Sequence, residues 1–214
     1  MSNSNSKSAR NLTPVQAARQ ARVLACTRDL LAEEGYDGLQ MRVLAERAEV
    51  ALMTLYNRFG NKDDLILVSL QALLAELTER ASTSGKQGIE FILHNGDIIA
   101  DQIVETPRYA KAMALMLFNG QIHSPIVKTL LATSVKQNLE QVQAMIDLGE
   151  ITDQVDPNLL ANTLSTCTWS IILLWMKQII ADKSFKKEYL RAPILVLAPA
   201  MTPDSYKRYC HLLK

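Results

Sequence analysis

The stretch from Met41 to Lys62 constrains the fold most, because its pattern predicts two short helices joined by a tight turn. Apolar residues of the first helix recur at i, i+3, i+4 and i+7, one face of a helix, and they are Met41, Leu44, Ala45 and Ala48. The pattern breaks at 49–51, and Leu55 and Phe59 then form the apolar pair of a second helix. Off its packed face the second helix presents Leu52, Met53, Thr54, Tyr56, Asn57 and Arg58. Such groups suit contacts with base edges and phosphates in a DNA major groove.

Prolines mark where further helices are predicted to begin. Five of the seven follow a residue able to cap a helix, at 13–14, 106–107, 124–125, 156–157 and 202–203. Gln16 completes a capping box with Thr13, Gly35 ends that first helix, and Asn61 caps another. No stretch alternates with period two for long, so we predict an all-α fold. Its other helices cover residues 14–34, 61–81, 86–105, 107–120, 125–149, 157–181, 184–200 and 203–213, with Pro193 kinking or splitting one of them.

Residues in and around the 41–62 stretch match the pattern of a known family. They are Gly35-Tyr36, Leu44-Ala45, Ala48, Val50, Thr54-Leu55-Tyr56, Phe59, Lys62 and Leu65. With this spacing the segment resembles the helix-turn-helix of the TetR (tetracycline-repressor-like) family of bacterial transcription regulators. The resemblance implies an N-terminal arm and three-helix DNA-binding domain at 1–62 and a helical effector-binding and dimerisation domain at 63–214. The helix at 61–81 would connect the two.

The resemblance also implies which side chains contact DNA. Arg42 matches a position that contacts DNA in the family, and Thr54, Tyr56 and Lys62 match positions that contact phosphates, which fix register without reading sequence. We expect Arg58 to join the phosphate contacts. Base discrimination would be left to Leu52 and Met53, which could meet thymine methyl groups, and to Asn57, whose amide could pair with adenine. The alternative for Tyr56 is that it packs on the preceding helix.

Three residues depart from the family pattern. Glu49 stands where the family usually has a glycine in a left-handed turn conformation, which costs a non-glycine residue about 1–2 kcal/mol. Ala51 and Gln40 stand where a serine or threonine would cap a helix, and such a cap is typically worth about 1 kcal/mol. We therefore expect a less rigid DNA-binding head than is usual in the family.

Composition excludes several classes of protein. A net charge of +1 over 214 residues carries no whole-chain sign of nucleic-acid binding, although five cations and no acids lie between Met1 and Arg28. Those in the tail, Lys7 and Arg10, suit either DNA contact or plain solvation. Three scattered cysteines form neither a disulfide nor a zinc pattern, and the N-terminus lacks the apolar core of a signal peptide. The apolar stretch at 159–180 is interrupted by polar residues, which favours a helix buried on most sides over a membrane span. We expect a cytoplasmic protein with no membrane partner.

One helical face could carry acid–base or metal chemistry. His94, Asp97 and Asp101 lie at i, i+3 and i+7, but they lack the spacing of a helical zinc site and a further strong ligand nearby. There is no phosphate-binding glycine loop, no nucleophile elbow and no catalytic serine or cysteine context. We therefore predict no catalytic residues, no metal and no cofactor, and treat an enzyme built on His94 as a rival hypothesis.

The predicted second domain contains flexible apolar and aromatic side chains, chiefly Met113, Met116, Leu117 and Trp169. They suit a core, and by the family resemblance they also suit the wall of a small-molecule pocket. Polar ligand contacts are predicted from His94 and Asn95, which sit among apolar residues such as Ile98, and from Thr166. With few charges expected on these helices, the effector should be mainly apolar.

The later helices carry more apolar residues than one protomer's core should need: Leu160, Leu164, Ile171, Leu174, Trp175, Ile194, Leu195 and Leu197. In the family the last two long helices pair with their mates in a four-helix bundle, so a homodimer is expected. The sequence thus indicates a ligand-responsive DNA-binding repressor of operator DNA, without enzymatic activity. The alternative is a small-molecule or protein-binding helical module whose helix-turn-helix is vestigial.

Overall fold

The computed structural model describes residues 13–119 and 125–214, and throughout these ranges the chain is helical apart from short connections and one isolated bridge between Ile151 and Met201. The helices are α1 (Pro14–Gly38), α2 (Met41–Arg47), α3 (Leu52–Phe59), α4 (Lys62–Ser82), α5 (Gly88–Glu105), α6 (Pro107–Asn119), α7 (Pro125–Asp147), α8 (Pro157–Met176), α9 (Asp182–Leu197) and α10 (Pro203–Tyr209). Single 3-10 turns follow α9 at Ala198–Ala200 and α10 at Cys210–Leu213. The prediction of an all-α fold is confirmed.

α1 begins where its sequence predicts, but at the predicted end, Gly35, it bends and continues to Gly38. The Thr13 hydroxyl accepts from the Gln16 amide while the Gln16 side chain accepts from the Thr13 amide, so both halves of the capping box are present. Gly35 interrupts the helix with a φ of 71°, a left-handed value that glycine adopts without steric cost. The last turn, which carries Tyr36, therefore leaves the axis of α1 and reaches over the start of α4.

The turn between α2 and α3 is tight, as predicted. Glu49 has a φ of 53°, and the Val50 amide donates to the Ala45 carbonyl at 3.0 Å. Neither Gln40 nor Ala51 makes a side-chain cap. The departures noted in the sequence therefore leave both helix starts without capping side chains and place a non-glycine residue in a strained conformation.

α4 ties the helix-turn-helix to the rest of the molecule. The Asn61 side chain accepts from the Asp64 amide, and Asp63 and Asp64 lie in the first turn, where the helix dipole favours negative charge. The apolar core that contains α1–α4 continues without a break into α6 through Tyr109 and Met113. Through α1 and α4, the helix-turn-helix is thus connected to helices of the second half of the chain.

The N-terminus of α5 is held by the turn that follows α7. The Ile89 amide donates to a Glu150 carboxylate oxygen at 2.9 Å, and the Gly88 amide donates to the Gln141 side chain at 3.0 Å. A Cβ on Gly88 would lie 2.1 Å from the same Glu150 carboxylate, and the φ of Gly88 is 60°. The positive φ and this close approach both favour glycine at the position.

Several boundary predictions are corrected. Thr202 makes no cap for α10, because its hydroxyl lies against the Gly149 and Glu150 carbonyls and ties α10 to the turn after α7. The Thr106 hydroxyl donates to the Gln102 carbonyl of the preceding helix. Pro193 does not split its helix, which runs on to Leu197. Asp156 caps α8 as predicted, and the expected cap at Ser124 lies outside the described residues, as do Lys7 and Arg10.

α8 is less buried than predicted. It is long and apolar enough to cross a membrane by length and composition, with a mean hydropathy of 1.4, but such a single helix is weak evidence for a span. A third of that window is buried (33%), and Leu159 is 63% exposed, so the expectation of a helix buried on most sides is wrong for the single chain.

Some of the eight apolar residues predicted to form a dimer interface are buried in the protomer's own core. Within the chain, five of the eight residues are buried: Leu160, Leu164, Trp175, Ile194 and Leu197. Leu195, by contrast, is 64% exposed. The exposed face of α8 also carries Asn162, Thr163, Thr166 and Ser170, whose side chains bond to carbonyls of their own helix.

Candidate DNA-binding surface and internal cavity

α3 divides its side chains between core and solvent. Leu55 and Phe59 are buried, whereas Leu52, Met53 and Tyr56 are 38%, 66% and 45% exposed. Of the remaining predicted contact residues on α3, Asn57 and Arg58 are exposed and Thr54 is half-buried. The outward position of Tyr56 argues against the alternative that it packs on the preceding helix.

The three predicted cationic contacts differ in their availability. Arg42 is highly exposed and pairs with Glu46 one turn on, at 3.4 Å. The Arg58 guanidinium donates to Gln20 of α1 at 3.1 Å. Lys62 is turned inward, where its ammonium donates to the Tyr36 carbonyl and lies 4.0 Å from the centre of the Tyr36 ring. Burial lowers the pKa of Lys62, against the opposing effect of the acids at 37 and 63.

Two ion pairs brace this head against α1. Arg47 binds Glu33 through two hydrogen bonds of 2.6 and 2.7 Å, a bidentate arrangement that fixes α2 on α1. Arg22 lies 3.3 Å from Glu49, so the carboxylate in the turn engages a cation that would otherwise face solvent.

An internal cavity of about 270 Å³ lies between α4, α5, α6, α7, α8 and α9. Its wall is mainly apolar, with contributions such as Leu73, Phe91, Ile103 and Met113. Among the residues that the structure describes, no Asp, Glu, Lys, Arg or His lines it. The polar residues of the wall are Gln71, Thr78, Asn95, Gln102, Thr106, Tyr109, Thr133, Ser134, Gln137, Asn138, Gln141, Thr168, Trp169 and Tyr189.

Half of the predicted ligand contacts lie on this wall. Asn95, Met113, Leu117 and Trp169 line the cavity. His94, Ile98, Met116 and Thr166 do not line it. Met116 is buried in the core beneath the helix-turn-helix, and Ile98 packs against the same core. Thr166 is exposed on α8 and its hydroxyl donates to the Asn162 carbonyl.

Several cavity residues were not found by sequence reasoning. α7 contributes a row of polar residues, Thr133, Ser134, Gln137, Asn138 and Gln141, and α9 contributes Tyr189. The spacing of the α7 residues at i, i+3 and i+4 on a helix predicted to pack was a usable signal. Part of this row is already bonded, since the Asn138 amide donates to the Ser165 hydroxyl at 2.8 Å.

Three buried polar atoms of the wall have no hydrogen-bond partner among the residues that the structure describes. They are Asn95 Oδ1, Trp169 Nε1 and the Tyr109 hydroxyl. Burial raises the pKa of Tyr109 to about 12, which the nearby Ser69 hydroxyl and Arg28 partly offset. Because a buried polar atom without a partner is costly, such atoms mark where a bound molecule is best received.

The acidic side chains on one face of α5 form ion pairs with α9. Lys186 of α9 lies 2.8 Å from Asp97 and also bonds Asp101. In the described part of the chain no group of three or more His, Cys, Asp or Glu side chains is placed to hold a metal. The arrangement fixes α5 to α9 and does not favour the rival hypothesis of an enzyme built on His94.

The helix-turn-helix region is similar in sequence to known regulatory proteins. Residues 23–68 match the family model described as bacterial regulatory proteins, tetR family. Over 71 residues the chain is 41% identical to the HTH-type transcriptional repressor KstR of Rhodococcus jostii (strain RHA1), a match that covers 33% of this chain and 32% of the relative. The chain therefore spans about a third of the length of that relative.

Two further similarities extend over most of the chain. Over 189 residues it is 25% identical to the HTH-type transcriptional regulator UidR of Escherichia coli (strain K12), covering 85% of this chain and 93% of the relative. The crystal structure of a TetR transcriptional regulator from Rhodococcus sp. RHA1 superposes with a TM-score of 0.67 at 19% identity, covering 86% and 97% of the two chains. The first similarity is one of sequence, and the second supports the fold.

Proposed function

We propose that this chain, which belongs to the tetR family of bacterial regulatory proteins, is a ligand-responsive transcriptional regulator of the cytoplasm that represses by binding operator DNA. It acts as a homodimer and has no enzymatic activity. A small, mainly apolar effector releases it from the operator. The observation that carries the proposal is the shared core, in which the same helices line the cavity and support the helix-turn-helix.

The reading surface is the exposed face of α3. Leu52, Met53 and Asn57 would discriminate bases, while Thr54, Tyr56 and Arg58 would hold phosphates. Arg42 would contact a phosphate or a guanine edge from α2. Lys62 would reach a phosphate after release of its ammonium from Tyr36.

The coupling runs through α4 and α6. Tyr109 and Met113 of α6 line the cavity and also belong to the core that contains α1. Arg108, at the start of α6, donates to the Glu33 carbonyl of α1. Leu73 of α4 is shared in the same way. A ligand that fits the cavity better in one arrangement of these helices would therefore shift the position of the two heads in a dimer.

In a dimer the two α3 helices would have to enter successive major grooves about 34–36 Å apart. The test is an electrophoretic shift with the DNA that flanks the protein's own gene, at fixed salt, against an unrelated duplex of equal length. We expect binding at least about a thousandfold tighter to the flanking DNA than to the unrelated duplex.

The alternative remains a helical binding module with a vestigial helix-turn-helix. Glu49, with its strained φ and its exposed carboxylate, is the observation that favours it. Equal affinity for flanking and unrelated DNA, in protein that still binds ligands, would support this alternative and reject the regulator.

A further inference from the structure

The cavity wall combines fourteen polar residues with an apolar majority. Within the described part of the chain, none of the wall residues is charged. The acids of α5 at 97 and 101 pair with Lys186 and do not line the wall. A carboxylate, phosphate or ammonium buried here would find no counter-charge, and an unpaired buried charge is strongly disfavoured.

The unpartnered atoms of the wall are complementary in kind. Asn95 Oδ1 on α5 is a buried acceptor and Trp169 Nε1 on α8 is a buried donor, and neither has a partner among the described residues. The indole nitrogen can only donate, so its partner must be an oxygen or a nitrogen with a lone pair. The amide oxygen can only accept, so its partner must be an O–H or N–H group.

We infer that the effector is an uncharged, mainly apolar molecule whose polar end carries a hydroxyl or an equivalent donor–acceptor pair, received by Asn95 and Trp169. This inference rests on the proposed function for its biological meaning, but its test does not use DNA. It excludes free fatty acids, phosphorylated metabolites and cationic drugs as preferred ligands.

The first arm of the test compares matched probes by isothermal titration calorimetry at pH 7.5. For each chain length from hexyl to dodecyl, the 1-alkanol is compared with the alkanoate and the alkylammonium of the same length. We expect the alcohol to bind about tenfold or more tightly than either ion. The inference is overturned if an alkanoate or an alkylammonium binds as tightly as its matched alcohol, or if no alcohol in the series binds.

The second arm asks whether the two atoms receive the hydroxyl. Trp169→Phe keeps an aromatic ring but removes the donor, and Asn95→Leu keeps a similar volume but removes the acceptor. Both should weaken binding of the best alcohol by about tenfold. The methyl ether of that alcohol can accept but not donate, so its binding should fall with Trp169→Phe and stay unchanged with Asn95→Leu.

Thr166→Ala is the matched control, because Thr166 lies on the same helix as Trp169 but away from the cavity. It should leave alcohol binding unchanged. Equal losses for alcohol and ether in both variants would indicate a general packing defect and would overturn the assignment of the two atoms. Alcohol binding without release from operator DNA would instead reject the effector mechanism of the proposed function and leave the ligand class standing.

Discussion

Glu49 combines two effects in the turn before the recognition helix. Its φ of 53° costs a non-glycine residue about 1–2 kcal/mol, and its carboxylate pairs with Arg22 at 3.3 Å. Both side chains of the pair are well exposed, so the pair contributes little to stability, about 0–1 kcal/mol. Strain should therefore outweigh the ion pair.

We predict that Glu49→Gly raises the free energy of unfolding by up to about 1 kcal/mol. The matched variant Glu49→Ala also removes the carboxylate but keeps the strain, so it should be no more stable than the wild type. Urea unfolding of the three proteins measures both effects. Equal stabilisation by Gly and Ala would show that charge, and not backbone conformation, is the cost at this position.

Tyr56 and Asn57 are adjacent and exposed, yet their substitution should affect DNA binding in different ways. Tyr56→Phe removes one hydroxyl from a phosphate-contacting position, so it should weaken operator and variant sequences alike. Asn57→Ala should instead relax preference at one base pair in each half-site, a loss of about 1–3 kcal/mol of discrimination there. Binding to a panel of single-base operator variants measures both. Neither change should alter the melting temperature; a fall for Tyr56→Phe without loss of binding by folded protein would return that side chain to a packing role.

At the scale of the elements, the contact between α5 and the turn after α7 should depend on pH. Burial raises the pKa of Glu150, which the hydrogen bond from the Ile89 amide and the charge of Arg208 partly offset. A carboxyl with a raised folded-state pKa stabilises the fold fully below its unfolded pKa, and this stabilisation is lost as pH rises through the folded pKa. Wild-type protein should therefore lose stability from Glu150 as pH rises from about 4 towards neutrality.

Glu150→Gln keeps an oxygen for the Ile89 amide but cannot ionise. The difference in unfolding free energy between wild type and Glu150→Gln should shift in favour of the variant as pH rises through this window. Glu140→Gln, on the exposed side of α7, is the control and should shift little. Chemical denaturation from pH 4 to 7.5 supplies the measurement, and a difference that is constant with pH would contradict the burial of Glu150 as its cause.

Some helix ends are determined by local sequence, whereas others depend on contacts with distant residues. Thr13 and Asn61 cap their helices through residues less than four positions away, and Gly35 acts through its own backbone conformation. These features could therefore be predicted from local sequence. Thr202 has the same local signature, yet its hydroxyl lies against carbonyls 52 and 53 positions away. The cavity follows the same division. Met113 and Trp169, chosen by residue type, line the cavity, whereas His94 and Thr166 do not, because the packing of six helices decides which face of α5 or α8 turns inward.

At the scale of the whole molecule, the exposed face of α8 is suited to pack against another helix. Leu159 is 63% exposed, and the neighbouring Thr163, Thr166 and Ser170 satisfy their hydroxyls on their own helix. A helix that packs on this face needs to supply few hydrogen bonds, and it can approach closely. A second copy of the chain supplies the same face, so a symmetric dimer would bury both.

We predict that Thr166→Arg converts the protein to a species of 23.9 kDa at micromolar concentration in sedimentation, because two guanidinium groups would meet across the axis. Thr83→Arg, at the exposed end of α4, is the matched control and should leave the dimer intact. The cavity lies within one protomer, so ligand binding should survive Thr166→Arg. Operator affinity should fall steeply, because a monomer contacts one half-site where the dimer contacts two. A dimer that persists in Thr166→Arg would move the interface away from α8, and full operator affinity in a proven monomer would reject recognition by paired heads.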